Sequence, residues 1–332
     1  MPNSRAIVFT EVNQVELQEY DLPDPKPDEL VIRTEYSGVS QGTEIWALTG
    51  RRPEVRFPVV PGYQSVGVVE VVGPATSGYE VGDKVLFTTS RPPDGFLPSW
   101  MGAHVGLALA STSIAHPPVH VPDGVDAVGA ALAALPAVGL RGVDMIRVSP
   151  DDLVVVNGQG LIGQGVAQLA RLRGAIVVAS DLSDARLDLS RECGADVIVN
   201  PSRESLGEVV RSLRPQGADV VIDTTGRSDQ FAPCIDLLRW EGSFLMQGWY
   251  PDPVVFDFHA THHKKPTIAV TCGFGPNETT RVLDLMRYGK LRFREVVSHL
   301  SPPDEAPAIY ARLAAADPDM LGVVFDWTGG AE

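Results

Sequence analysis

The sequence predicts an α/β chain in two parts: a β-rich domain interrupted by a doubly wound parallel sheet. Three observations carry this. Over roughly the first 120 residues, short strand-like runs are separated by Pro and Gly clusters with no helices between them. From about Val125, apolar strands alternate with helix-period segments, and such βαβα alternation specifies a parallel sheet covered on both faces. Near the end, Gly322–Asp326 reads as a strand with no helix after it, as a terminal strand returning to the first domain would. The expected boundaries are 1–124, 125–276 and a C-terminal return over 277–332.

In the first part the strand candidates are Ala6–Phe9, Leu30–Thr34, Val66–Val72 and Lys84–Thr88. Leu22–Pro27, Pro61-Gly62 and Gly82-Asp83 punctuate them. Ala127–Val148 is Ala/Leu-rich in its first half and reads as largely helical. The alternation then runs through strand Leu153–Val156, helix Ile162–Arg173, strand Ala175–Ala179, helix Ser183–Cys193 and strand Val197–Asn200. It continues with helix Ser205–Leu213, strand Val220–Asp223, helix Asp229–Trp240, and strands Ser243–Gln247 and Thr267–Thr271. Glu278–Tyr288 reads as a helix of the tail.

Composition narrows the function. The chain has 332 residues, 44% hydrophobic and 21% charged, which excludes general disorder. Lys and Arg total 27 against 42 Asp and Glu, a net charge of -15. That balance argues against nucleic acid as a partner and favours solubility or attraction of cationic ligands. The three cysteines, Cys193, Cys234 and Cys272, form no C-x-x-C pair, so neither a disulfide framework nor a zinc ribbon is expected. Met1–Thr10 lacks a signal-peptide core, and the apolar run Ala127–Leu140 contains Pro136 and is too short to span a bilayer. A soluble cytoplasmic protein with no membrane partner is expected.

The strongest chemical signal is Val154-Val155-Val156-Asn157-Gly158-Gln159-Gly160-Leu161-Ile162-Gly163, an apolar strand ending in G-x-G-x-x-G where a helix begins. Gly158 permits the turn, Gly160 lets a pyrophosphate approach the backbone, and Gly163 allows close helix–strand packing. The N–H groups of the helix start, at Leu161 and Ile162, are expected to face the phosphates. Asp181 ends the second strand about 20 residues later, where a carboxylate accepts from ribose hydroxyls and repels a 2′-phosphate. NAD is therefore expected over NADP. An ordinary helix N-cap is the alternative for Asp181, although Ser183 can fill that role. Arg186 is a candidate for stacking near adenine, and Thr224, Thr225 and Gly248 are candidate walls beyond the strand ends.

With these residues in view, the chain resembles the medium-chain dehydrogenase/reductase superfamily over nearly its whole length. The resemblance is carried by Ser37-Gly38-Val39, Phe57-Pro58, Pro61-Gly62, Val66-Gly67-Val68-Val69 and Val81-Gly82-Asp83-Lys84-Val85. The Gly158 loop, Tyr288-Gly289-Lys290 and Ser298-His299 add to it. It implies a GroES-like catalytic domain around an inserted Rossmann domain, in homodimers or homotetramers. Zinc-binding members carry ligands where this chain has Gln41, Tyr63-Gln64 and the Ala133–Pro136 stretch. Their structural lobe needs cysteines, and none precedes Cys193. No zinc is therefore expected. The Ser-Gly-Val-Ser-x-Gly-Thr-Glu segment with Pro-Gly-Tyr-Gln resembles the zinc-lacking branch typified by the bacteriochlorophyllide hydroxyethyl dehydrogenase. That branch implies oxidation of a secondary alcohol by NAD, and it includes enzymes of secondary metabolism acting on sugar or cyclitol hydroxyls.

Without a metal to acidify the alcohol, a side chain must take or relay its proton. The candidates are Tyr63 and Gln64, with Gln41, Thr43 and Glu44 on the facing loop, and His104. Tyr63 is expected in the reaction cleft, with Lys264 as a possible cation beside it. Trp46, Trp100, Trp249 and Tyr250 are candidate pocket walls. His259, His262 and His263 form H-x-x-H-H, a pattern that can gather a metal. Beside Lys264-Lys265 they are read as exposed or structural, and no metal is expected there. The leading function is a zinc-independent, NAD-dependent secondary-alcohol dehydrogenase. The rivals are an NAD(P)H-dependent quinone or enoyl reductase and a non-catalytic NAD(H)-binding protein. Among polyol substrates an aminocyclitol or aminoglycoside suits the charge of -15.

Overall fold

A computed structural model describes residues 3–92, 95–96, 99 and 101–329. In chain order the elements are β1 (Asn3–Glu11), β2 (Gln14–Asp21), β3 (Glu29–Gly38), α1 (Gln41–Leu48), β4 (Ser65–Val72), β5 (Lys84–Phe87), β6 (Leu107–Ser111) and β7 (Val119–His120). Then come α2 (Ala127–Ala130), α3 (Ala134–Ile146), β8 (Leu153–Asn157), α4 (Leu161–Leu172), β9 (Ile176–Ser180), α5 (Asp184–Glu192), β10 (Val197–Val199), α6 (Leu206–Leu213) and β11 (Ala218–Asp223). The chain closes with α7 (Phe231–Leu237), β12 (Leu238–Gln247), α8 (Phe258–His262), β13 (Thr267–Thr271), α9 (Pro276–Arg287), β14 (Val297–Ser301), α10 (Ala306–Ala314) and β15 (Gly322–Asp326). Two compact units result. The first comprises Met1–Ala134, Gly275–Gly289 and Phe293–Glu332, the second Leu135–Phe274 and Lys290–Arg292.

The first unit is built on a sheet ordered β14-β15-β3-β4-β5-β7, with β6 also on β3, and a separate β1-β2 ribbon. The terminal strand does return to it: β15 runs antiparallel to β3, pairing Val324 with Gly38 and Phe325 with Ser37. One core gathers Ile7, Phe9, Val39, Tyr310 and Phe325, and a second Leu30, Ile32, Val69, Val85 and Phe87. Phe9 meets Tyr310 edge-on at 5.0 Å, a geometry that adds about 0.5–1.5 kcal/mol beyond the area buried.

The second unit is a six-stranded sheet ordered β10-β9-β8-β11-β12-β13, parallel throughout. The order reverses between β8 and β11, and ligands of such sheets bind beyond the strand ends at that point. Leu153–Val156 of β8 are fully buried, as a central strand covered on both faces requires. Helix α3 reaches this sheet through Gly142. A Cβ there would sit 1.7 Å from Gln247 Oε1, so only glycine permits the approach.

Several elements differ from the sequence expectation. The helix expected over 229–240 stops at Leu237, and the chain enters β12 at once. Glu241 takes a positive φ of 53° in a bulge that shifts the register between Ala218↔Leu238 and Val220↔Ser243. The helix expected over 127–148 is broken into α2 and α3. Ala127–Ala134 belongs to the first unit, ten residues beyond the expected boundary at 124. Close packing holds it there, since a Cβ on Gly38 would meet the Ala131 carbonyl oxygen at 2.1 Å. The elements α1, β2, β6, β7, β14 and α10 were not marked by apolar periodicity. Among the described residues no helix is long and apolar enough to cross a membrane.

Candidate functional site

The glycine loop is built as its spacing requires. Gly158 has φ 89°, a region other residues rarely adopt. A Cβ on Gly163 would lie 1.9 Å from the Gly158 carbonyl oxygen, so the helix can pack on the turn only as glycine. A Cβ on Gly160 would meet nothing within 4 Å, which leaves the open cradle a diphosphate needs. Gly160 is the N-cap of α4 and no side chain caps it. The first-turn N–H groups, those of Leu161 and Ile162 included, thus suit an anion. The loop is braced from within. Gln159, fully buried, donates from Nε2 to the Val156 carbonyl at 2.9 Å and accepts from Ser190 Oγ at 3.0 Å.

Asp181 follows β9. One carboxylate oxygen accepts from the Gln159 N–H at 2.6 Å, the other from the Ser183 N–H at 2.8 Å. The carboxylate is therefore fixed beside the glycine loop, with lone pairs left for a ribose. Ser183 serves as N-cap of α5, accepting from the Arg186 N–H, so Asp181 is not consumed in that role. Arg186 is half-buried on α5, and its carbonyl accepts from Gln164 Nε2 at 2.9 Å. Thr224 donates from Oγ1 to the Gly158 carbonyl at 2.9 Å, which ties the end of β11 to the loop. Gly248 turns at φ 116° and donates its N–H to the Thr271 carbonyl.

The sequence reading missed Asp223, at the end of β11. It is 1% exposed and accepts from Thr225 Oγ1 at 2.9 Å, Asn157 Nδ2 at 2.9 Å and the Tyr250 hydroxyl. Burial pushes its carboxyl above the usual range, against the lowering effect of those hydrogen bonds. Tyr250, expected to line a pocket, instead gives its hydroxyl to this carboxylate, and burial raises the phenol. The signal was present in Val-Ile-Asp-Thr-Thr-Gly: an acid closing an apolar strand beside a turn.

The first unit brings most of the candidate proton-handling residues together. Tyr63 is almost wholly buried and donates its hydroxyl to Ser40 Oγ at 2.6 Å. Burial raises the phenol above its ordinary value. Its hydrogen bonding with Ser40 and Thr43 and the charge of Arg52 oppose that, while Glu44 adds to it. Ser40 was not singled out by sequence, yet it is the partner Tyr63 uses. Gln64 is fully buried and neither atom of its amide finds a partner among the described residues. Gly62 has φ 87°, and a Cβ there would meet the His104 ring at 2.6 Å, so the turn into Tyr63 rests directly on that imidazole.

Glu44 and His104 are placed differently from the base role considered for them. Both are fully buried. Glu44 accepts from the Ser40 N–H at 2.7 Å, from the Tyr310 hydroxyl, and from His104 Nε2 at 3.1 Å. His104 Nδ1 faces Ser37 Oγ at 2.7 Å, and Ser37 accepts from Trp327 Nε1 at 2.8 Å. The Glu44 carboxylate oxygen can only accept, so His104 Nε2 carries a proton towards it. Three donors already meet the carboxylate, so its work is to hold Ser40 and the start of α1. Gln41 likewise donates from Nε2 to the carbonyls of Leu321 at 2.6 Å and Met320 at 3.3 Å. Lys264 is not a spare cation. Its ammonium is taken by the carbonyls of Leu238 and Asp236 within the second unit, and Arg52 is the cation that bears on Tyr63. Trp46 is half-buried on α1, and Trp249 is 40% exposed. Trp100 lies outside the described residues.

The donor set of the Tyr63 region does not fit zinc. The amide of Gln41 is spent on backbone carbonyls, Tyr63 on a serine, and Ala134 offers no ligand atom. The glycine loop with Asp181 does fit a dinucleotide.

Comparison with known proteins agrees with this architecture. Residues 26–106 match the alcohol dehydrogenase GroES-like domain, and residues 162–287 match the family described as zinc-binding dehydrogenase. The chain belongs to the medium-chain dehydrogenase/reductase superfamily. It is an enzyme, an oxidoreductase of the alcohol dehydrogenase kind. The 2-desacetyl-2-hydroxyethyl bacteriochlorophyllide A dehydrogenase of Cereibacter sphaeroides is 28% identical, over 98% of this chain and 99% of that one. A sorbitol dehydrogenase of Halalkalibacterium halodurans is 27% identical, over 85% and 88%. Among solved structures, a Sinorhizobium meliloti 1021 protein with NADP bound superposes with TM-score 0.86 at 23% identity, covering 98% of this chain and 100% of that one. An Escherichia coli CFT073 alcohol dehydrogenase with NADH superposes with TM-score 0.86 at 18% identity, covering 98% and 99%.

Proposed function

We propose that this enzyme oxidises a secondary alcohol to a ketone with NAD and without zinc, and that Tyr63, with Ser40 and Thr43, handles the hydroxyl proton. The observation that carries this reading is the hydroxyl cluster: Tyr63 bonded to Ser40 at 2.6 Å, in the region where zinc-binding relatives carry ligands and where the donor set does not fit zinc. The curated relatives named above are dehydrogenases of hydroxyl-bearing substrates, which supports the reaction class.

The bound nicotinamide supplies the hydride acceptor. The Gly158 turn and the α4 N-terminus would hold its diphosphate, and Asp181 its adenosine ribose. A carboxylate at that position favours NAD by accepting from the ribose and by repelling a 2′-phosphate. Tyr63 stays a neutral phenol near pH 7, because burial raises it. It thus works as a donor and relay rather than as a standing phenolate. It orients the substrate oxygen: as its oxygen accepts the substrate's proton it gives its own to Ser40 Oγ, whose hydroxyl proton passes on to water, with Thr43 a further hydrogen-bond partner of Tyr63. Gln64, whose buried amide has no partner among the described residues, adds a donor and an acceptor for a polyhydroxylated substrate.

Sugar, aminocyclitol or aminoglycoside hydroxyls in secondary metabolism remain the substrates this reading favours, the cationic ones because of the charge of -15. A homodimer is part of the same proposal. Strand β13 ends the parallel sheet, and its Ile268 and Val270 are 39% and 65% exposed, an edge suited to pairing with a second copy. The testing experiment is turnover of a panel of secondary alcohols with NAD by chelator-stripped enzyme. Turnover that tracks restored zinc refutes the reading.

A further inference from the structure

Sequence reading set His259, His262 and His263 aside as exposed or structural, yet the structure gathers their rings. We infer that they form a binding site for one zinc-class divalent ion in the second unit, separate from the residues assigned to catalysis and cofactor. Among the described residues, these three offer ligand atoms that all lie within 4.8 Å of one another. His259 Nε2 and His263 Nε2 are 3.3 Å apart. Tetrahedral zinc with Zn–N bonds of about 2.0–2.1 Å separates two ligand nitrogens by about 3.3–3.4 Å. The pair is therefore already spaced as one edge of that tetrahedron.

Local structure explains the arrangement. Asp257 caps α8 by accepting from the Ala260 N–H at 3.1 Å. Residues three and four apart then share a helix face, which brings His262 and His263 to His259. His262 Nδ1 faces the Phe258 carbonyl at 3.3 Å. A carbonyl can only accept, so Nδ1 carries a proton towards it and Nε2 is the nitrogen placed to serve as a ligand. That is the arrangement in which a metal-bound imidazole gives its other N–H to the protein. The two cations that follow are directed elsewhere: Lys264 to the carbonyls of Asp236 and Leu238, Lys265 over the Trp240 ring at 5.2 Å. Three imidazole nitrogens fill three positions of a tetrahedron and leave the fourth to water. Such a nitrogen set suits zinc, nickel or copper rather than magnesium or calcium.

The test uses untagged full-length protein stripped with chelator, then titrated with zinc and separately with cobalt. One equivalent of zinc is expected, together with the visible bands of tetrahedral cobalt and a rise in thermal midpoint on adding zinc. His259→Ala and His263→Ala should each weaken binding by at least about tenfold, since loss even of an outer partner of a ligand costs that much. The triple variant H259A/H262A/H263A should lose the site, while its metal-free melting and its NADH affinity match the unaltered protein. Two results overturn the inference: no more zinc held by the unaltered protein than by the triple variant, or a stoichiometric ion retained by the triple variant. Neither bears on zinc-free turnover, which the triple variant tests independently.

Discussion

Removing one oxygen from Tyr63 is the sharpest perturbation the structure offers. In Tyr63→Phe the ring stays in its buried place, while Ser40 Oγ loses the hydroxyl that donates to it at 2.6 Å. A buried polar group deprived of its partner costs about 1–3 kcal/mol of stability, so a measurable fall in thermal midpoint is expected with the fold retained. The effect on turnover is larger. A group that passes a proton in the transition state contributes roughly 10²–10⁴-fold, or about 2.7–5.4 kcal/mol at 1.36 kcal/mol per decade. Because burial keeps the phenol protonated through the neutral range, the loss should be a nearly constant factor between pH 6 and 9 rather than a displaced pH profile. Ser40→Ala interrupts the same relay from its other side. If the two act as a unit, the double variant costs about as much as either single one. The assay pairs steady-state kcat with NADH affinity by fluorescence. A loss below about threefold, with NADH affinity unchanged, assigns Tyr63 to packing; independent, multiplying losses in the double variant refute the shared relay.

Two further outcomes follow from the second unit. Asp181→Ser removes a ribose acceptor and a charge that repels the 2′-phosphate. A preference for NAD over NADP of at least about tenfold, worth ~1.4 kcal/mol, should therefore shrink in kcat/KM comparisons, and equal use of both cofactors by the unaltered enzyme contradicts the assignment. Asp223 has its carboxyl raised by burial, so its neutral form is favoured in the folded state. Its contribution to stability is complete below the unfolded value near 3.8 and is lost as pH rises through the folded one. In urea unfolding at pH 4 and pH 7, the stability of the unaltered protein relative to Asp223→Asn should therefore be greater at pH 4, and the opposite trend contradicts the burial argument.

What sequence could show was local. The turn at Gly158, the close approach at Gly163 and the acid after β9 are fixed by residues within one βαβ unit. Their spacing alone announces them. The terminal strand Gly322–Asp326 was legible because it is apolar and lacks a following helix. The proton-handling site was legible only as a place. Tyr63 could be named from its position after Pro61-Gly62, but its partner Ser40 sits 23 residues earlier, before a helix that the sequence presented as a loop. The role of Glu44 was hidden more deeply. It depends on Tyr310, 266 residues away, on a helix no apolar period marked. A carboxylate looks free in sequence until the donors that surround it are known. The same reasoning holds for Lys264, whose charge seemed available until the ends of α7 and β12 claimed it. The grouping of the three histidine rings was not legible either: H-x-x-H-H gives spacing along the chain, and only the fold of α8 shows ligand atoms within 4.8 Å of one another.

The central claim is that protein hydroxyls, not zinc, take the alcohol's proton while the hydride goes to NAD, and one measurement addresses it directly. The H259A/H262A/H263A variant, dialysed against chelator until zinc falls well below one ion per chain, is assayed for NAD reduction with a secondary alcohol that the untreated enzyme oxidises. The account predicts kcat unchanged within about twofold and no gain when zinc is restored, a shift well short of the tenfold that 1.4 kcal/mol represents. Turnover that disappears with the metal and returns in proportion to added zinc contradicts it.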